Sequence, residues 1–473
     1  GRWGWGYDGV DLFAPNHNYG HPDDLRRLVD AAHAHDLGVL LDVVYNHFGP
    51  DGNYLRAYSD DYFSSRHMTP WGEAVNYDGP RSDRVREFVI GNALAWLRDF
   101  HVDGFRLDAT HAIIDDSPVH LLAELSATAR AATARRIVLI AEDERNDVRL
   151  IRPLDVGGYG LDAVWADDFH HALRVRLTGQ RESYFANYEG TAAEIGRALA
   201  GGFFFQGQAT PRSGLPRGTE VTDEPASAFV FCTQNHDQVG NRAFGERLDH
   251  LVGRDLAATA TATLLFAPET PLLWMGEEFA ASSPFIYFTD HHPDLGRLVT
   301  EGRRKEFEGF REFRAAALEQ IPDPQDPASF FRSKLDLRER TTTGTPTERL
   351  YRALLALRRD DPVLRRRDRS RLRVAALAAD LLAVLRLGDD EGRLLLANFG
   401  PARAVDPTAD ALLRELTGKP WRLLLATSAT EFGGDGAPIA FPGDRGAMSA
   451  TIALPACSAT IFATPAIGEK RDD

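Results

Sequence analysis

The sequence predicts a parallel α/β fold of the barrel type, followed by an antiparallel β domain at the C-terminal end. Six short apolar runs alternate with helical patterns up to about residue 370. This alternation is typical of a parallel sheet, and continuous apolar runs suit strands that are covered on both faces. Beyond that point, short β-like runs separated by Gly and Pro favour antiparallel structure.

The six apolar runs are the predicted parallel strands, and each of them ends in polar or charged residues. They are residues 39–47, 102–108, 137–143, 161–170, 229–237 and 271–279. Helices are predicted between them at residues 22–36, 82–100, 118–133 and 253–266, and after them at 346–360. The first has Pro22 at its start and a regular apolar stripe, and the second has Ser82 as its expected N-cap.

Two domains follow from this pattern. We expect residues 1–368 to form the α/β domain and residues 369–473 the β domain, in which a turn at 388–390 separates two strands. Residues 280–345 form an insertion that is too long for an ordinary connection. It is therefore expected either to be functional or to pack as extra helices.

Composition excludes several classes of protein. The 473 residues are 43% hydrophobic and 26% charged, which is ordinary for a soluble globular enzyme. The sequence has no apolar run near the roughly 18 residues of a membrane helix. Its net charge of −15 disfavours nucleic acid or an anionic membrane surface as a partner. A neutral substrate such as a sugar is compatible with this charge, and the oligomeric state stays open.

The two cysteines, Cys232 and Cys457, show neither a disulfide framework nor the spacing of a zinc site. A disulfide between them stays open, but free thiols in a reducing compartment are the simpler interpretation. We therefore expect a cytoplasmic protein.

Carboxylates follow three of the predicted strands. The period of two along a strand puts Arg106 and Asp108 on one face, and Glu142 and Asp237 follow later apolar runs. Taken alone, each of these acids is better explained by a structural ion pair or a solvated loop. Together they favour an active site, because barrel active sites are built at the C-terminal ends of the strands.

Acids at this position match the chemistry of glycoside hydrolysis, in which one carboxylate attacks the anomeric carbon and another acid protonates the leaving oxygen. Arg106 would keep Asp108 ionised, whereas Glu142 has no cation adjacent in sequence and is the better candidate for the acid. A divalent metal held by Asp and His is the rival chemistry. The lack of HxH, HxxxH and HExxH spacing disfavours it, and we expect no metal or cofactor.

Four short segments resemble the four sequence regions of glycoside hydrolase family 13, the α-amylase family. They are DVVYNH (42–47), GFRLDA (104–109), AED (141–143) and NHDQ (235–238), in the family's order. The resemblance spans roughly residues 1–380. It implies that Asp108 is the nucleophile, Glu142 the general acid/base and Asp237 the transition-state stabiliser.

The resemblance also implies the residues that surround the reacting sugar. His47, Arg106 and His236 would hydrogen-bond it. Tyr7 would stack on it, and Asp8 would lie beside Tyr7. Asn46 is a calcium ligand in many α-amylases, but calcium is not carried over, because the loop at 48–80 is short.

The family fold is a (β/α)8 TIM barrel followed by a C-terminal antiparallel β-sandwich. In the family, two barrel strands and an N-terminal β-sandwich precede the stretch around Tyr7. The resemblance therefore implies a barrel that lacks its first two strands, with unpaired edges at the third and eighth strands.

Longer segments resemble the family members that hydrolyse the α-1,4 bond next to the terminal trehalose of maltooligosyltrehalose. These segments are residues 1–20, 108–117, 139–146, 235–245, 276–291 and 322–336. An α-glucan with a trehalose end is then the expected partner. The residues implied to contact that end are Trp71, Glu144, Arg145 and Asn146, for which ordinary packing or a solvated loop is the alternative.

Two other functions compete with this one. A 1,4-α-glucan branching enzyme of the same family would transfer a chain instead of releasing trehalose. A non-catalytic binding module of this type would typically lack catalytic carboxylates, and this chain keeps all three.

Overall fold

The computed structural model describes residues 1–307, 318–417, 421–441 and 451–465. The chain divides into two compact units, which are described separately. Unit 1 consists of Gly1–Trp165, Gly218–Glu224 and Phe288–Val299, and unit 2 of Ala166–Arg217, Pro225–Tyr287 and Thr300–Asp473.

Unit 1 contains a parallel sheet and a hairpin. Its strands are β1 (Leu40–Val43), β2 (Phe63–Thr69), β3 (Gly72–Val75), β4 (Gly104–Leu107), β5 (Val138–Ala141) and β6 (Ala163–Trp165). Strands β1, β4, β5 and β6 pair in parallel in that order, as the apolar runs predicted. Strands β2 and β3 form an antiparallel hairpin, which the polar sequence of this loop did not predict.

The helices of unit 1 are α1 (Pro22–Ala34), α2 (Leu55–Tyr58), α3 (Ser82–Asp99) and α4 (Leu121–Ala131). Helix α1 begins at Pro22 as predicted, with His21 and Asp24 forming a capping box. The prediction of Ser82 as an N-cap is wrong. A tight turn precedes α3, so Arg81 takes the cap position in the left-handed region (φ 59°) and Ser82 is already helical.

Strand β4 is buried along its whole length, and its alternation sets the site. Phe105 and Leu107 are 0% and 1% exposed and form part of the core. Because successive strand side chains point to opposite faces, Arg106 and Asp108 lie together on the other face.

Unit 2 contains a second parallel strand pair, β7 (Phe229–Cys232) and β8 (Thr270–Leu272), with Val230 opposite Thr270. Both strands were predicted. The helices here are α5 (Asp167–Thr178), α6 (Ala192–Gly201), α7 (His236–Gly240), α8 (Leu248–Val252) and α9 (Arg254–Phe266).

The insertion predicted at residues 280–345 contains helices. They are α10 (Pro293–Phe307) and α11 (Pro327–Arg332), and residues 308–317 lie outside the described part of the chain. Helix α12 (Thr345–Asp360) follows and corresponds to the last predicted helix.

The C-terminal part of unit 2 is antiparallel, as predicted. Its elements are β9 (Leu372–Ala378), β10 (Leu381–Leu387), β11 (Glu391–Asn398), β12 (Arg403–Val405), α13 (Ala411–Arg414), β13 (Arg422–Ala426), β14 (Ile452–Leu454) and β15 (Ser458–Pro465). Five strands form one sheet in the order β13-β15-β11-β10-β9, and β12 pairs with β14. Apolar side chains from several of these strands, among them Leu385, Leu396 and Phe462, pack into one core.

Two further observations bear on the sequence analysis. Cys232 and Cys457 are free thiols, so the disulfide that the sequence left open does not form. Among the described residues, no helix has both the length and the apolar character needed to cross a membrane.

Glu277 is a buried acid that follows β8. It accepts hydrogen bonds from the Tyr351 hydroxyl (3.2 Å) and the Gln234 amide (3.3 Å). Burial raises its pKa from an ordinary 4.5 to about 8. Glu277 therefore keeps its proton in the folded protein at neutral pH, where an unfolded chain has lost it.

This difference predicts a pH-dependent effect of Glu277→Gln. Between pH 4.5 and 8 the folded state holds a proton that the unfolded state has released, so the free energy of unfolding falls as the pH rises. The glutamine variant does not titrate. We expect it to become progressively more stable relative to the parent from pH 5 to pH 8, measured by urea unfolding. Glu431→Gln, at an exposed glutamate in the C-terminal part of unit 2, is the control and should follow the parent curve. A Glu277→Gln curve parallel to the parent would contradict the assignment.

Candidate active site

One buried guanidinium joins the acidic residues of unit 1. Arg106 lies on β4 with its side chain 7% exposed. Its Nη1 donates to Asp108 Oδ1 (2.7 Å) and Asp42 Oδ1 (2.8 Å). Its Nη2 lies 2.8 Å from Glu142 Oε2. Arg106 therefore contacts one carboxylate within β1 and two carboxylates that directly follow β4 and β5.

Strand register explains why these residues meet. Asp42 of β1 is paired directly with Arg106 of β4, so both side chains point to the same face of the sheet. Leu107 is paired with Ala141 of β5. The next residues, Asp108 and Glu142, therefore lie beside each other at the carboxyl ends of β4 and β5. The Glu142 backbone N–H donates to the Leu107 carbonyl (3.0 Å).

Glu142 has no cation adjacent to it in the sequence, but in the fold Arg106 lies beside it. Arg106 contacts Glu142 as closely as it contacts Asp108, and the Ala109 backbone N–H also donates to Glu142 Oε2 (2.8 Å). The cation comes from an adjacent strand, which adjacency along the chain does not reveal. Desolvation opposes the charge on Arg106, but the surrounding carboxylates outweigh it and raise its pKa, so the guanidinium stays charged.

Asn46 fixes the second oxygen of Asp108. Its side-chain amide donates to Asp108 Oδ2 (2.8 Å) and to the Asp108 carbonyl (2.9 Å). Its Oδ1 lies 2.5 Å from His47 Nδ1. Desolvation lowers the pKa of His47, which favours the neutral imidazole. The family resemblance indicates Asn46 only as a calcium ligand of related enzymes, although its position between Asp42 and His47 is a signal for this contact.

Aromatic rings surround Arg106. The Tyr7 hydroxyl donates to Asp42 Oδ2 (2.7 Å), and burial raises the Tyr7 pKa, which keeps this donor protonated. The Arg106 guanidinium lies 5.6 Å from the Tyr7 ring centroid and 4.4 Å from that of Trp165. Trp165 was not predicted as a site residue. Its position as the last residue of β6 is the feature that indicates it.

Trp71 stacks on His47. The two ring centroids are 4.9 Å apart and the rings are inclined by 9°. Trp71 is 51% exposed, so part of its ring is accessible to a ligand.

The loop after Glu142 places its predicted residues in different environments. Arg145 donates to the buried carboxylate of Asp143 through Nε (2.9 Å) and Nη2 (2.6 Å). Asn146 is 1% exposed and has a left-handed backbone (φ 59°), whereas Glu144 is exposed. The Arg145 guanidinium is thus held against Asp143.

Thr289 and His291, for which no site role was predicted, contact the stretch around Tyr7. His291 Nε2 is 3.6 Å from Asp8 Oδ2, and its Nδ1 is 3.1 Å from Asp51 Oδ2. The Trp3 indole donates to the Thr289 carbonyl (3.2 Å). His291 therefore holds Asp8, whose side chain is 46% exposed.

Asp237 belongs to unit 2, in the first turn of α7. Asn235 caps this helix through Gln238 N (2.8 Å), and the Asn241 amide donates to Asp237 Oδ1 (3.3 Å). His236 Nε2 is 3.5 Å from the same oxygen. The Asp237 side chain is 35% exposed and so is accessible to a ligand.

Within the described residues, one group of side chains has the spacing of a metal site. Ligand atoms of His67, Asp78 and Asp116 lie within 4.8 Å of one another. Their charges are already paired, however, because His67 Nε2 is 2.9 Å from Asp78 and Arg66 is 3.4 Å from both acids. We assign no ion to this group.

Comparison with known proteins identifies the family. The family model for the alpha amylase catalytic domain matches residues 3–81. A malto-oligosyltrehalose trehalohydrolase of Deinococcus radiodurans is 45% identical over 434 residues, which are 91% of this chain and 70% of that protein. One of Rhizobium sp. (strain M-11) is 45% identical over 374 residues, which are 77% of this chain and 62% of that protein.

A solved structure is also similar. A Salmonella typhimurium protein assigned as an alpha amylase superposes with a TM-score of 0.83 and 38% identity, covering 98% of this chain and 74% of that one. The parallel strands and the C-terminal antiparallel sheet thus correspond to the TIM barrel and β domain of the α-amylase fold. From its identity to these relatives, the chain belongs to the malto-oligosyltrehalose trehalohydrolase family of α-amylase-type glycoside hydrolases.

Proposed function

We propose that this chain hydrolyses the α-1,4-glucosidic bond next to the terminal trehalose of maltooligosyltrehalose and releases trehalose and a maltooligosaccharide. The supporting observation is the pair of acids, Asp108 and Glu142, that share the Arg106 guanidinium. The names of the relatives support the substrate. The chain spans 70% and 62% of the length of the two relatives described above.

The reaction follows the retaining mechanism. The Asp108 carboxylate attacks the anomeric carbon, the bond to the glycosidic oxygen breaks, and Glu142 gives its proton to that oxygen. Trehalose then leaves. Water attacks the glycosyl–Asp108 ester, Glu142 takes the proton, and the sugar is released with its α configuration retained. Hydrogen bonds from Arg106 and Asn46 orient the attacking carboxylate.

Further residues are proposed to act on the same sugar. We propose that Asp237 stabilises the transition state, that His47, His236 and Arg106 hydrogen-bond the reacting sugar, and that Tyr7 stacks on it with Asp8 beside it. The residues proposed to contact the trehalose end are Trp71, Glu144, Arg145 and Asn146. Of these, Trp71 is the best supported, because it combines a half-exposed ring with a stacking contact to His47.

We also propose that residues 1–368 form the catalytic barrel and residues 369–473 a separate β domain. A cytoplasmic location is proposed as well. The two free thiols support it, since a reducing compartment keeps cysteines in this state.

The substrate and stereochemistry are tested together on maltooligosyltrehalose and the maltooligosaccharide of matching length. We expect free trehalose from the first substrate, a kcat/KM at least about 100-fold lower on the second, and the α anomer as the first-formed product by NMR. Asp108→Asn is the control and should release no trehalose. Chain transfer to glucan without free trehalose would indicate a branching enzyme, and a first-formed β anomer would exclude the retaining mechanism.

The role of Glu142 is tested by leaving-group dependence. Glu142→Gln has no proton to give, so hydrolysis of the natural substrate should slow by about 100-fold or more. A glycoside with a good leaving group needs little acid assistance in its first step. We expect single-turnover glycosylation of the variant by such a substrate to approach the parent rate. Equal losses on both substrates would assign Glu142 another role.

A further inference from the structure

A pocket of about 360 Å³ lies next to Asp237 in unit 2. Residues of the helix α7 segment form one part of its lining, namely Asp237, Gln238 and Asn241. Arg174 of α5, together with Gln180 and Tyr184, forms another part. The volume is within the range of small-ligand sites.

The side-chain oxygen of Gln180 accepts hydrogen bonds from neighbouring arginines, whereas its side-chain nitrogen can donate to a ligand. Its Oε1 accepts hydrogen bonds from Arg174 Nε (3.3 Å) and Nη2 (3.4 Å) and from Arg242 Nη1 (3.2 Å). Because guanidinium groups only donate, this oxygen assignment is chemically required. The Gln180 amide nitrogen donates to none of the described residues, so two N–H groups remain for a ligand.

Arg174 gives Gln180 this orientation. It is 4% exposed and forms no ion pair within the described ranges. Desolvation, together with the neighbouring charge of Arg242, lowers its pKa to about 10. A guanidinium at this depth needs its hydrogen bonds satisfied, and the fixed Gln180 oxygen supplies part of that requirement.

The pocket has the composition of a carbohydrate site. Tyr184 and Phe185, with ring centroids 4.5 Å apart, contribute aromatic rings to the lining. The Tyr184 hydroxyl donates to Gln238 Oε1 (3.2 Å). Amides and guanidinium groups match sugar hydroxyls, and aromatic rings match the apolar C–H face of a sugar ring.

The charges of the lining disfavour an anionic ligand. The lining contains two arginines and three acids, namely Asp237, Glu246 and Glu306. Arg242 is paired with Glu246 at 3.2 Å. A phosphate would need an excess of positive charge here. A neutral ligand with many hydroxyls fits this lining better.

We propose that this pocket binds a glucosyl residue of the substrate, with the Gln180 amide donating to a sugar hydroxyl and Arg174 acting as the positioning residue for Gln180. The inference rests on the proposed function for its choice of substrate class. Asp237, which is proposed to stabilise the transition state, is part of the pocket lining.

Gln180→Glu separates the amide donor from its structural role. A carboxylate still accepts from Arg174 and Arg242, so the fold is retained, but it has no N–H to offer a sugar. We expect this variant to bind maltopentaose or trehalose about five- to tenfold more weakly by calorimetry, the loss of one hydrogen bond. Its KM on maltooligosyltrehalose should rise by a similar factor, and its melting temperature should not fall. Gln208→Glu is the matched control, because Gln208 is exposed and outside the pocket and a carboxylate can still accept from the Gln206 backbone N–H (2.6 Å); it should match the parent.

These measurements distinguish a failure of the pocket proposal from a failure of the proposed function. If the parent releases trehalose and Gln180→Glu binds both sugars as tightly as the parent, the pocket proposal is overturned and the function stands. If the parent releases no trehalose but Gln180→Glu still weakens sugar binding, the function fails and the pocket stands. A parent that binds neither sugar overturns the pocket proposal.

Discussion

The guanidinium of Arg106 is the interaction on which the site in unit 1 depends. It neutralises part of the charge of three carboxylates that strand pairing brings close together, and it lies almost entirely out of water. Without it, Asp42, Asp108 and Glu142 would repel one another, and the buried Asp108 carboxylate would be left without a cation beside it. The rings of Tyr7 and Trp165 stabilise the cation from the side, which favours a guanidinium over a compact ammonium at this position.

The fold produces this arrangement through register. Paired residues on parallel strands point to the same face, and so the pairing of Asp42 with Arg106 fixes their contact. One step further along, backbone ladder bonds hold Asp108 to Val43 and Glu142 to Leu107. The carboxylates of Asp108 and Glu142 are thus positioned by β-sheet hydrogen bonds, and each has a further donor, Asn46 for Asp108 and Ala109 N for Glu142.

Short-range patterns predicted much of this fold. The apolar runs gave all six parallel strands, Pro22 marked the start of α1, and the period of two put Arg106 and Asp108 on one face. Contacts between distant segments were not predictable from one sequence. The Arg106–Glu142 pair, the Asn46 bond to Asp108 and the placement of His291 beside Asp8 all depend on how strands and loops meet. The N-cap at Arg81 was missed because the turn before α3, and not the side-chain preference of Ser82, decides where the helix starts.

The most direct test of the central claim is the kcat/KM of Arg106→Lys on maltooligosyltrehalose, measured on protein whose near-UV circular dichroism matches the parent. Lysine keeps the positive charge, but its single ammonium cannot offer separate nitrogens to Asp108 and Glu142 as the guanidinium does. If a shared guanidinium organises the two acids, kcat/KM should fall by about 100-fold or more. A folded variant with parent-like kcat/KM would contradict this claim.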